Sequence, residues 1–203
     1  QLLREDLRIL IMSATLESEK LASTMKAPVI TSTGRQFPVK IEYQTPARDA
    51  SIADSVTHAI KKAVKEQNGD LLVFLPGVGE IKQVSERFAN ESFVVLPLYG
   101  DLPYKQQQEA ILPLTNGSRK VVLATTIAET SLTIEGITTV IDCGYTRVPK
   151  FDPRSGLTKL ETIRVAKDAA DQRAGRAGRL GPGVCYRLWP EATHQHLRAS
   201  RQP

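Results

Sequence analysis

The residues best able to do chemistry lie in DQRAGRAGR, at 171–179. Read as a helix over 168–179 at 100° per residue, this segment places Gln172, Arg176 and Arg179 on one face, at i, i+4 and i+7. Arg173 falls toward the side of that face. Guanidinium forks hold phosphate oxygens with bidentate geometry, and an amide beside them can hold a water in line with a γ-phosphorus. The pattern therefore suits a polyphosphate. Gly175 and Gly178 each cost about 1 kcal/mol relative to Ala in a helix interior, so close backbone approach is expected there. A solvated basic face would explain the arginines but not the glycines.

The elements that must position these residues alternate along the chain. Strands are predicted at RILIM (8–12), LLVFL (71–75), FVVLPLY (93–99), KVVLAT (120–125), TTVIDC (138–143) and VCYRLW (184–189), and helices at 16–25, 51–66, 79–89 and 103–112. In the helix at 51–66, Ile52, Val56, Ala59, Ile60, Ala63 and Val64 share one face. Val- and Leu-rich strands separated by helices indicate an α/β fold, a parallel sheet covered on both faces. The Pro-, Thr- and Gly-rich stretch from Ala27 reads as a linker leading into one extended piece, Val39 to Tyr43. The segment 145–166 breaks the alternation. Its two extended arms surround DPRSG (152–156), whose Asp-Pro and Ser-Gly pairs are turn formers, so an inserted β-hairpin is expected. A surface hairpin is often only decoration; this one carries Arg147, Lys150, Arg154, Lys159 and Arg164, so nucleic-acid contact is the alternative.

In open parallel sheets, ligands bind beyond the carboxyl ends of the strands. Those ends carry short Ser-, Thr- and Gly-containing motifs in series: SAT (13–15), PGVGE (76–80), YGDLP (99–103) and TTIAETSLTIEG (125–136). Singly, each reads as a helix cap. No Gly-Lys dipeptide occurs, so a Walker A phosphate loop is absent from these 203 residues. No acidic pair follows a strand in a way that would hold Mg²⁺, and no metal site is expected in this stretch.

Composition is that of an ordinary globular protein, with 41% hydrophobic and 24% charged residues. A net charge of +5 mildly favours a polyanionic partner. Cys143 and Cys185 carry no CxxC spacing and are expected to be buried and reduced. No apolar run reaches the length of a membrane span. The opening QLLREDLRIL lacks the features of a signal peptide and reads as cut from a longer chain, and a cytoplasmic location is expected.

Taken in order, SAT, LLVFLPG, YGDLP, ATTIAETSLTIEGI and QRAGRAGR resemble motifs III, IV, IVa, V and VI of the DEAH-box helicases of superfamily 2. GRQFPV, LPGVGEI and FDPRSGLTKL make the bacterial HrpB-type branch the most similar. The resemblance covers almost the whole chain. It implies a RecA-like sheet: residues 1–33 as the C-terminal end of a first RecA-like domain, 34–49 as the interdomain linker, and 50–203 as the second RecA-like domain.

The resemblance also implies roles. Gln172 would position the attacking water, and Arg176 and Arg179 would act as arginine fingers on ATP, or another NTP, with Mg²⁺, bound mainly by the first domain. Ser131 and Thr133 would couple nucleotide state to the domain, Glu135 would lie near the nucleotide, and Ser13 and Thr15 would link hydrolysis to closure. Thr125 and Thr126 would touch the nucleic-acid backbone, joined by the loop of Gly77, Val78 and Gly79. Arg147 and Lys150 would contact the strand from the hairpin, acting as a wedge or guide. The family usually has Asn where Thr126 stands, and often an aromatic near Ile111 that stacks on the base. Ile111 would read a base poorly, and core packing is the alternative for it. The implied function is the C-terminal half of an ATP-dependent helicase acting on single-stranded nucleic acid, RNA favoured, inactive without the rest of its own chain. A non-catalytic RecA-like docking or nucleic-acid-binding module, and a DNA helicase of a related branch, stay open as alternatives.

Overall fold

The structure, a computed structural model, describes residues 4, 22–24, 26, 28–30, 37–89, 91–129 and 133–200. The chain divides into two compact units, 1–35 and 36–203. In the first, residues 22–24 are helical, within the helix predicted at 16–25. The predicted strand at 8–12 and the residues Ser13 and Thr15 lie outside the described residues.

The second unit is built on six parallel strands: β1 (Val39–Tyr43), β2 (Asp70–Phe74), β3 (Val94–Leu98), β4 (Lys120–Ala124), β5 (Ile137–Asp142) and β8 (Gly183–Arg187), in the order β1-β8-β5-β2-β4-β3. Strand β1 is the extended piece predicted after the linker. It forms a sheet edge, running from Val39 beside Gly183 to Tyr43 beside Arg187. The inserted hairpin is present as β6 (Tyr145–Asp152) and β7 (Leu157–Arg164), an antiparallel pair apart from the main sheet.

Period-two alternation along the strands divides the core. Leu71 and Val73 of β2, with Val121 and Leu123 of β4, face α1 (Ile52–Glu66) and α2 (Val78–Glu86). Leu72 and Phe74, with Val122 and Ala124, face the opposite side, where α3 (Tyr104–Ile111) and α4 (Lys167–Gly175) pack. Helix α1 forms where the apolar positions recur at helical spacing, and it buries Ala53, Val56, Ala59, Ile60 and Ala63. Ser51 caps it: its hydroxyl accepts from the Asp54 N–H at 3.0 Å while the Asp54 carboxylate accepts from the Ser51 N–H at 3.2 Å. A short helix, α5 (Glu191–Gln195), follows β8.

The helix predicted over 168–179 is shorter. The α-helix ends at Gly175, and 176–178 tighten into a 3₁₀ turn. Glycine lowers helix propensity at both ends of that turn, and tertiary contacts set the new geometry. The Gly178 carbonyl accepts from the Phe37 N–H at 2.9 Å. A Cβ at Gly178 would lie 2.5 Å from the Phe37 oxygen and 2.7 Å from Val39 Cγ2. Close approach is thus real at Gly178. At Gly175 it is not, since an added Cβ would meet nothing within 4 Å.

Candidate nucleotide and nucleic-acid faces

Among its described residues the return from β4 to β5 carries no α-helix. After Thr125 comes a 3₁₀ turn at Thr126–Ala128, and residues 133–136 lead into β5. In a parallel sheet this connection must travel from the carboxyl ends of the strands to their amino ends. The motif at 125–136 therefore does not sit wholly at the carboxyl ends, as its position after a strand suggests. Thr125 and Thr126 stay there, half-buried, while Thr133 and Glu135 emerge exposed near the start of β5.

The arginine segment lies against that connection. Arg179, exposed, donates from Nη1 to the Thr133 hydroxyl at 2.8 Å. Arg176, 6% exposed, donates from Nη2 to the Glu129 carbonyl oxygen. Burial first, and the neighbouring Arg179 charge second, pull the Arg176 guanidinium down to about 10, with Glu129 pulling the other way. It remains charged at neutral pH. A cation desolvated beside another cation is stabilised by an incoming anion, so the donor set fits phosphate oxygens. Gln172 is half-buried on α4, four residues before Arg176. Glu135 lines a shallow cavity of about 420 Å³ with Arg119, Leu114 and Leu180. Ile111 packs, partly buried, against the core beneath the sheet. Ser131 lies outside the described residues.

At the carboxyl ends of the strands the other predicted residues gather. Gly77 precedes α2 and is buried, Val78 is half-buried, and Gly79 is exposed. Arg147 of the hairpin reaches back to this loop, its Nη2 3.0 Å from Glu80 Oε1. Its guanidinium carbon occupies the space a Gly77 Cβ would need, at 2.7 Å, so a side chain there would have to displace the end of Arg147. Lys150 stands farther out on β6, exposed, and pairs with Glu161 at 2.7 Å. At the hairpin root Gly144 adopts φ +80°, and a Cβ there would lie 2.7 Å from the Trp189 ring.

The sequence reading missed what holds the two faces together. Arg173, 1% exposed, points into the protein. Its Nη2 lies 2.6 Å from Glu129 Oε1 and its Nη1 2.7 Å from Asp142 Oδ1. The guanidinium also lies over the Phe74 ring, 4.9 Å from its centroid. Burial opposes its charge, but Asp142 and Glu129 outweigh that and raise its pKa. The signal available was Glu129 and Asp142 themselves: acids adjoining strongly apolar strands need a buried cation. Also missed was Lys120, fully buried at the start of β4, whose ammonium donates to the carbonyls of Ala110, Ile111 and Leu112 at 3.1, 3.3 and 2.8 Å. Cys143 and Cys185 are free and buried, as expected, and burial pushes the Cys143 thiol up to about 12. Among the described residues no group of three or more His, Cys, Asp or Glu could hold a metal ion, and no helix is long and apolar enough to cross a membrane.

A six-stranded parallel sheet with helices on both faces, an arginine-bearing turn against the β4–β5 return and an inserted hairpin define a RecA-like α/β domain. The chain belongs to the helicase conserved C-terminal domain family, which matches residues 54–181. It is 48% identical to the ATP-dependent RNA helicase HrpB of Escherichia coli (strain K12), over 99% of this chain and 25% of that protein. It is 40% identical to the pre-mRNA-splicing factor ATP-dependent RNA helicase prp22 of Schizosaccharomyces pombe, over 95% of this chain and 17% of that protein. Two crystal structures of E. coli HrpB, described as a DExH-box NTPase and as a DEAH/RHA helicase, superpose with TM-scores of 0.89 and 0.92. They cover 99% of this chain and 25% and 26% of theirs, at 48% identity. The chain thus spans about a quarter or less of the length of the relatives it matches.

Proposed function

We propose that the whole protein is an ATP-dependent RNA helicase of the DEAH-box kind, in which residues 50–203 are the second RecA-like domain. Residues 34–49 would be the linker and 1–33 the end of the first domain. The ATP site would lie between the two domains, with Arg176 and Arg179 as fingers from this side, Gln172 orienting the attacking water and Glu135 near the nucleotide. Ser131 and Thr133 would sense nucleotide state, with Ser13 and Thr15 on the first-domain side, and Ile111 would approach the base. The phosphate loop and the carboxylates for Mg²⁺ would belong to the rest of the protein. The single observation that carries this reading is that Arg176 donates to the Glu129 carbonyl and Arg179 to the Thr133 hydroxyl.

The single strand would run over the carboxyl ends of the strands, contacted by Thr125, Thr126, the loop of Gly77, Val78 and Gly79, and the hairpin residues Arg147 and Lys150. Such contacts grip the backbone without reading sequence. Loops at the sheet's carboxyl edge and a turn on its flank give the two ligands separate faces of one rigid sheet. ATP-driven closure of the domains would thereby move the strand. RNA is favoured over DNA because the relatives are named as RNA helicases. A cytoplasmic location belongs to the same proposal.

The test uses the whole protein. ATP hydrolysis stimulated by single-stranded RNA is expected to be lost in Arg176→Ala with the fold intact. Normal turnover in that variant rejects the finger assignment. Lys150→Ala is expected to weaken single-stranded RNA binding evenly across sequences and to reduce the slope of log K against log salt by about 0.7. An unchanged slope removes Lys150 from the path.

A further inference from the structure

We infer that Arg173, which no phosphate could reach, is the positioning residue for Arg176, acting through Glu129. The inference rests on the reading of Arg176 as a nucleotide-contacting arginine. Glu129 is bracketed from two sides. Its carboxylate takes Arg173 Nε at 2.8 Å and Nη2 at 2.6 Å, and its backbone carbonyl takes Arg176 Nη2. Arg173 is in turn fixed by Asp142 Oδ1 at 2.7 Å and the Tyr145 carbonyl at 3.3 Å, at the carboxyl end of β5 and the root of the hairpin. The Glu129 backbone, and with it the guanidinium of Arg176, is therefore tied to the rigid sheet by a buried side chain.

Stability alone does not account for this arrangement. Arg173, Glu129 and Asp142 expose 1%, 4% and 0% of their side chains, and burying charge this deeply is often no better than apolar packing of similar volume. The arrangement supplies fixed direction. The 3₁₀ turn at 176–178 has no side-chain cap hydrogen bond, and the N–H of its first residue returns to the Arg173 and Ala174 carbonyls. A displacement of about 1 Å at a catalytic contact costs on the order of a hundredfold in rate. Lysine at 173 would keep the charge but could not hold Glu129 with two nitrogens while reaching Asp142 and the Tyr145 carbonyl.

The experiment measures RNA-stimulated ATP hydrolysis of the whole protein for Arg173→Lys, Glu129→Gln, Arg176→Lys, and each of the first two combined with the third. Melting temperature and RNA affinity are followed alongside. Arg173→Lys and Glu129→Gln are expected to lower kcat about tenfold or more with KM for ATP within about twofold. In combination with Arg176→Lys, neither should lower kcat further, because both act through the same guanidinium. Wild-type kcat in Arg173→Lys and Glu129→Gln, or losses that multiply in the double variants, overturns the inference alone. Wild-type kcat in Arg176→Lys overturns the reading of the arginines, and this inference with it. Should Arg173→Lys fail to fold, Glu129→Gln decides by the same criterion, since it preserves side-chain shape and the carbonyl that Arg176 uses.

Discussion

The Arg179 guanidinium donates to the Thr133 hydroxyl at 2.8 Å, across 46 residues of chain. Both groups are exposed, so the bond orients an arginine that stays open to a ligand. For a finger, Arg179→Ala in the whole protein is expected to cut kcat by ~10³–10⁵. Thr133→Val removes only the orienting hydroxyl and should cost about tenfold or less, in keeping with an exposed neutral partner. Steady-state ATPase assays separate the two, and an Arg179→Ala variant with normal kcat rejects the assignment.

Gly178 and Gly175 predict opposite signs for the same substitution. Gly178→Ala puts a Cβ 2.5 Å from the backbone oxygen of Phe37. Backbone cannot yield as a flexible side chain does, and a loss of about 1–3 kcal/mol is expected. Gly175→Ala meets open space at φ −58°, ψ −17°, and should stabilise by about 0.4–1 kcal/mol through the unfolded chain. Urea denaturation of both variants reads the difference. Equal signs would mean that the β1 contact does not govern the turn.

Lys120 closes the C-terminal end of α3 from beneath. Lys120→Met keeps the volume but leaves the carbonyls of Ala110, Ile111 and Leu112 without their shared donor, at an expected cost of about 2–4 kcal/mol. Amide hydrogen exchange should quicken in the last turn of α3, where the Leu112 N–H bonds the Gln108 carbonyl. Unchanged exchange there would show that the helix ends without help from the lysine.

His194 makes stability depend on pH. Burial and then the Arg187 charge lower its pKa below 6.5, with Asp171 and Glu191 pulling it up and Lys167 pulling it down. Its ring packs tilted against Tyr43, with centroids 5.8 Å apart. Below pH 6.5 the unfolded chain therefore binds the proton more readily than the folded one. Stability from this group is full above pH 6.5 and is lost as pH falls through that value toward the lowered pKa. Comparison with His194→Gln between pH 7 and 5 should show a shallower decline in the variant. Parallel curves would remove His194 from the account.

Much of the architecture was legible because it is written locally. Short continuous apolar runs such as LLVFL and KVVLA became β2 and β4, and the apolar face of 51–66 became α1, capped by its own Ser51. The Asp-Pro and Ser-Gly pairs marked the hairpin turn correctly. The segment 171–179 announced its arginines, but not their environments. Helical projection set Arg173 beside Arg176 and Arg179, whereas one is enclosed in the protein, one half-committed to a backbone carbonyl, and one open.

By itself, then, the sequence determined the elements, the α/β class and the presence of a guanidinium cluster, since periodicity, caps and turn residues act over a few positions. The tertiary structure alone decided the strand order, the 3₁₀ turn imposed where Gly178 meets Phe37, and the pairing of Arg173 with Asp142 and Glu129, 31 and 44 residues away. A buried charge is satisfied by whichever partner the packed sheet brings within hydrogen-bond reach, and no local pattern encodes that distance.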